Sequence, residues 1–191
     1  MRVVARHQQV VRFDRERDED VGAACAAELV QAVRAAVAAA DALVLEDYNK
    51  GVLVPAVIRA AIDAAREAGI PSVVDPKFRN FFEFAGATVF KPNAAELSAA
   101  LGQPLAADDD GWLEDARRRV DAGHLLLTLG EHGMALKGAA GPAFRIPTVA
   151  REVYDVSGAG DTVTAFVAVA LAAGATREEA AVMANLAAGI E

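Results

Sequence analysis

Asp155-Val-Ser-Gly-Ala-Gly-Asp161, running straight into Thr162-Val-Thr-Ala-Phe-Val-Ala-Val-Ala-Leu171, is the stretch on which the fold turns. A loop of small residues opens an apolar helix. Such a loop presents free backbone N–H groups at the positive end of the helix dipole, which makes an anion site. Its glycines let backbone and ligand approach closely. Asp161 at the helix start is an odd companion for a bound anion, and two readings stand. It caps the helix, or it is a base that takes a proton from a hydroxyl attacking a phosphoryl group beside the anion site.

Upstream of that helix, short apolar runs alternate with amphipathic helices. Ala42–Leu45, Ser72–Asp75, Thr88–Lys91 and Leu125–Thr128 lack polar alternation, as strands of a parallel sheet covered on both faces do. Between them the pattern predicts helices over Val21–Ala39, Pro55–Ala68, Asn93–Leu101 and Asp108–Ala122. Pro55 suits a first turn, and Gly69 and Gly102 suit the residue past the end. Arg2–Asp14 reads as one strand, followed by the charged turn Arg15–Asp20. Gly133–Lys137 and Ala143–Ile146 read as a hairpin, and helices beginning at Gly160 and Thr176 end the chain. The order implies an α/β fold, a three-layer αβα domain on a mainly parallel, Rossmann-like sheet. No linker or internal repeat divides it.

Ligands of such sheets bind beyond the carboxyl ends of the strands. Polar clusters fall there: Asp47-Tyr-Asn-Lys50-Gly51, Asp75-Pro-Lys77, Lys91-Pro-Asn93 and Thr128-Leu-Gly130. Asn93 and Glu96 share one face of a helix start. They either hold a hydrated Mg²⁺ through oxygen or close a capping box. Lys50 and Lys77 either hold a phosphate as flexible point charges or are simply solvated. His7 has no second His or Cys spaced to complete a zinc site. The P-loop, the dinucleotide fingerprint and the nucleophile elbow are all absent from the sequence.

A chain of 191 residues that is 54% hydrophobic supports one real core. The net charge of −8, without a basic run, argues against nucleic acid but leaves a local phosphate site open. Cys25 is expected to be a small buried residue of a protein in a reduced cytoplasm. The apolar run Ala165–Ala173 is too short to span a membrane, and the N-terminus lacks the apolar core of a signal peptide.

The Asp155–Asp161 stretch resembles the C-terminal signature of the ribokinase-like (PfkB) carbohydrate kinases. The resemblance implies a ribokinase-type fold using ATP and Mg²⁺, with Asp161 as catalytic base and the Gly158, Ala159 and Gly160 backbone as anion hole. Asn93-Ala94-Ala95-Glu96 matches the family's Asn-x-x-Glu, which implies contact with the nucleotide phosphates and, through water, their Mg²⁺. Thr128-Leu-Gly130-Glu-His-Gly133 is similar to a strand-end segment that contacts nucleotide, so Thr128, Gly130 and Gly133 become nucleotide candidates. Unaided, that segment reads as a strand-to-hairpin turn. Asn185 matches a position near the adenine.

Arg2–Asp14, Glu46–Gly51 and Val74–Lys77 with Arg79 together resemble one branch of the family. That branch phosphorylates the C1 hydroxyl of D-glycero-β-D-manno-heptose 7-phosphate, giving the 1,7-bisphosphate used for ADP-heptose and lipopolysaccharide. The resemblance implies a sugar phosphate and ATP as partners, Lys50 and Lys77 on the substrate, and a homodimer through a lid strand at residues 1–14. The alternatives are a ribokinase, fructokinase, phosphofructokinase-like or nucleoside kinase, or an inactive nucleotide-binding remnant. The family's opening strand and Gly-Gly-Ala-x-Asn segment have no counterpart here. Residues 1–191 are therefore expected to be a partial kinase domain with an open sheet edge.

Overall fold

Successive side chains of a buried strand point to opposite faces, and here that alternation builds two cores. Val74, Phe90, Leu125, Leu127 and Ala135 pack with Ile58, Leu97 and Leu113 on one face. Val73, Val89, Leu126, Met134, Leu136 and Ile146 pack with Val163, Val167, Ala181 and Ala184 on the other. The computed structural model describes residues 2–5, 8–13, 16–148 and 158–189. His7 and the Asp155–Ser157 part of the signature lie outside the described residues.

The sheet holds β3 (Leu43–Glu46), β4 (Ser72–Asp75), β5 (Val89–Phe90), β6 (His124–Thr128), β7 (Met134–Gly138) and β8 (Phe144–Ile146), in that spatial order. The β3 to β6 pairings are parallel, and β7 and β8 add antiparallel. Helices α2 (Pro55–Ala68), α3 (Ala94–Leu101) and α4 (Asp110–Arg119) supply the first core, with α1 (Ala23–Val37) packed against α2. Helices α5 (Ala159–Ala172) and α6 (Arg177–Ala188) cover the second. The three-layer, mainly parallel reading holds.

Local chemistry explains the boundaries. Pro55 occupies the first turn of α2, and Gly69 and Gly102 close α2 and α3 in the left-handed region. Thr176 and Glu179 close a reciprocal capping box at α6. Two expectations need correction. Arg2–Asp14 is not one strand: β1 (Arg2–Ala5) and β2 (Gln8–Arg12) pair antiparallel as a separate ribbon. Cys25 is exposed, because α1 turns Ala26 and Val37 inward and a helix neighbour stands about 100° away.

Candidate active site

The last residues of the parallel strands carry the polar chemistry. Glu46 ends β3 opposite Asp75, which ends β4, and Lys91 follows β5 with its N–H bonded to the Val74 carbonyl. Leu45, Val74 and Phe90 face the α2–α4 core, so alternation turns Glu46, Asp75 and Lys91 toward α5. The start of α5 meets them there. Gly158 holds the N-cap position at φ 104°, a left-handed backbone that a side chain would strain. Asp161 is at the third helical position, so it does not occupy the cap itself.

Carboxylate oxygens of Glu46, Asp75 and Asp161 lie within 4.8 Å of one another. Lys91, 3% exposed, places Nζ 3.0 Å from Asp75 Oδ2. That ion pair lies directly beneath the start of α5: a Cβ built on Gly160 would stand 3.7 Å from Lys91 Nζ. The buried ammonium offsets part of the negative charge that Asp75, Glu46 and Asp161 gather below this helix N-terminus. Burial pushes the Asp75 carboxyl above its usual range although Lys91 pulls it down. Burial, then the charges of Asp161 and Asp75, hold Glu46 above its usual range. Tyr48 donates its hydroxyl to Asp161 Oδ2 at 3.2 Å.

Asn93 and Glu96 do form a capping box: Asn93 Oδ1 accepts from the Glu96 N–H at 2.8 Å, and Glu96 Oε2 accepts from the Asn93 N–H at 2.9 Å. Lys77 bonds Glu96 Oε1 and lies 3.9 Å from Asp75 Oδ1. Burial opposes its charge, but Glu96 and Asp75 hold the Lys77 pKa above normal. The donors at this helix start are all oxygen, which suits Mg²⁺. Their lone pairs are already partly spent, which suits contact through water.

Asn93 also bridges to Thr128, bringing the Asn-x-x-Glu helix and the end of β6 side by side. Past Thr128, Gly130–His132 form a 3-10 turn. At Gly133, φ is 84° and a Cβ would stand 2.0 Å from the Ile146 carbonyl oxygen. That glycine is required by the hairpin crossing. Asn185 is buried, and its amide donates to the Pro147 carbonyl at 2.9 Å. Lys50 pairs with Glu16, and both line a 470 Å³ cavity with Glu46, Asp47, Tyr48 and Leu53. Arg79 holds Asp18 at 2.9 Å, tying the segment after β2 to the same rim.

Asp161, Gly160, Asn93, Glu96, Thr128 and Lys77 thus share one end of the sheet, while Lys50 stands in the cavity beside Tyr48. Tyr48, Asp75 and Lys91 stood in the sequence only as members of strand-end polar clusters, and Glu46 only within the branch resemblance; none was assigned a role. The available signal was their place as strand-end residues with the parity of the α5 face.

The sequence profile of the pfkB family carbohydrate kinases matches residues 2–191. The chain is 46% identical over 193 residues to the Bifunctional protein HldE of Pelobacter propionicus, covering 99% of this chain and 39% of that protein. To the protein of the same name from Caulobacter vibrioides it is 45% identical over 196 residues, covering 100% of this chain and 39% of the relative. The chain therefore spans about two-fifths of the length of these relatives. Among solved structures it is similar to Escherichia coli phosphofructokinase-2 in complex with potassium, with TM-score 0.75, 22% identity, and coverage of 89% of this chain and 56% of that one. It is also similar to Arabidopsis thaliana ribokinase complexed with ribose and ATP, with TM-score 0.68, 24% identity, and coverage of 90% and 53%. No helix among the described residues is long and apolar enough to cross a membrane.

Proposed function

This chain belongs to the pfkB family of carbohydrate kinases, and we propose that it transfers the γ-phosphoryl group of ATP to the C1 hydroxyl of D-glycero-β-D-manno-heptose 7-phosphate. The observation that carries the reading is the meeting of Asp161, on the first turn of α5, with the anion loop at Gly158–Gly160 above the buried Lys91–Asp75 pair. Asp161 accepts the proton of the C1 hydroxyl as its oxygen attacks phosphorus. The Gly158–Asp161 amides and Lys91 offset the charge spread over the transferring phosphoryl oxygens.

ATP lies along the start of α3, Thr128 and the Gly130–Gly133 turn, with Asn185 toward the adenine. Asn93 and Glu96 hold Mg²⁺ through water, and the ion supplies charge neutralisation for the phosphates. Lys77 exchanges its bond to Glu96 for a phosphate oxygen. The sugar phosphate occupies the cavity beside Tyr48, where Lys50 exchanges Glu16 for the 7-phosphate. Support for the sugar comes from the Glu46–Gly51 and Val74–Lys77 resemblance, together with identity of about 45% along the whole chain to the HldE proteins. The β1–β2 ribbon is the lid and the surface through which two copies pair, since a lone two-stranded ribbon is marginally stable. Acting on soluble phosphates, the protein works in the cytoplasm.

The test is ADP release by the purified protein with the heptose 7-phosphate, ribose, fructose and fructose 6-phosphate, the product being identified by phosphorus NMR. Selective formation of the 1,7-bisphosphate is expected. Preference for another sugar would refute the branch but keep the chemistry, and ATP binding without ADP release from any sugar would favour a nucleotide-binding remnant.

A further inference from the structure

Beyond β3 the chain runs Asp47-Tyr-Asn-Lys, and its turn is tightly specified. Asp47 is buried, and its Oδ1 accepts from the Asn49 N–H at 2.8 Å. Asn49 itself is left-handed at φ 53°, a conformation that asparagine tolerates in such turns. The backbone is therefore fixed on both sides of Tyr48. Tyr48 is 55% exposed, yet its hydroxyl reaches Asp161 Oδ2 at 3.2 Å across 113 positions of sequence. A hydrogen bond this exposed competes with water and adds little to folding stability, so its effect falls on the carboxylate it holds.

We infer that Tyr48 is a positioning residue for Asp161, an inference that rests on the base reading above. Holding Oδ2 leaves Oδ1 as the oxygen presented to the sugar hydroxyl and removes a torsional freedom the reaction would otherwise have to freeze. The surroundings make a donor necessary there. Asp161 is faced by carboxylates of Glu46 from β3 and Asp75 from β4. Lys91 after β5 is engaged by Asp75, and Lys77 after β4 by Glu96. Tyr48 is the neutral donor on Asp161 Oδ2, steering the base while adding no charge.

The test is Tyr48→Phe in the purified protein, read with Asp161→Asn alongside. Loss of the donor should lower kcat about tenfold and leave KM for ATP and sugar unchanged. The thermal midpoint should not move. Unchanged kcat would overturn the inference. So would a raised sugar KM at unchanged kcat, which would make Tyr48 a substrate contact instead. Wild-type turnover by Asp161→Asn would defeat the base reading itself, whereas an inactive Asp161→Asn beside an unaffected Tyr48→Phe would defeat only the positioning role.

Discussion

Glu46 shows what crowding does to one side chain. Burial and the charges of Asp161 and Asp75 raise its pKa above the ordinary 4.5. A carboxyl raised in the folded state contributes stability below its unfolded pKa and loses it as pH rises through the folded value. Glu46→Gln should therefore melt about 1–3 °C higher than wild type near pH 7, with the advantage vanishing toward pH 4. Equal midpoints at all pH values would contradict the crowding. Asp161 and Asn93–Glu96 were legible as candidates because their local spacing carries a signal. The alternatives were not separable by spacing: Asn93 and Glu96 close a capping box, and a water-held ion is compatible with it. Tyr48 was not legible as a partner of Asp161, since the contact depends on how the sheet brings distant turns together.

Elements are held to one another by a few charged knots as well as by the cores. Glu114 of α4 accepts from Arg117 at 2.7 and 2.9 Å and from Arg118 at 2.8 Å, and lies 3.4 Å from Lys137 of β7. Hydrogen bonding to Arg117, with Arg118 and Lys137, lowers its pKa to about 2. A depressed carboxyl contributes stability above its unfolded pKa and loses it as pH falls through the folded one. Glu114→Gln should cost about 1–3 kcal/mol in urea unfolding near pH 7. The gap should close as pH falls from 4.5 toward 2. A constant gap across that range would contradict an electrostatic tie. The sequence marked α2 and α3 well because Pro55, Gly69 and Gly102 are strong punctuation. It merged β1 and β2 because the sequence from Arg2 to Phe13 carries no Gly, Pro, Asn or Asp to break the pattern.

At the scale of the whole molecule, one rule organises core and site together. Parity along each strand sends Val73 and Val89 to the α5–α6 core and Val74 and Phe90 to the other, and continuing it by one residue sets Asp75 and Lys91 under the α5 start. Apolar runs without alternation therefore foretold the three layers, and the carboxyl-end rule foretold the rim. The pairings across that rim, Lys77 with Glu96 and Lys91 with Asp75, are set by strand order and register, which no local window contains. The central claim is that this rim is a phosphoryl-transfer site with Asp161 as its base. It is tested most directly by ADP release from Asp161→Asn with the heptose 7-phosphate, alongside ATP affinity. A loss of kcat of about 10²–10⁴-fold with ATP affinity near wild type is the predicted result. Turnover within a few-fold of wild type would contradict it.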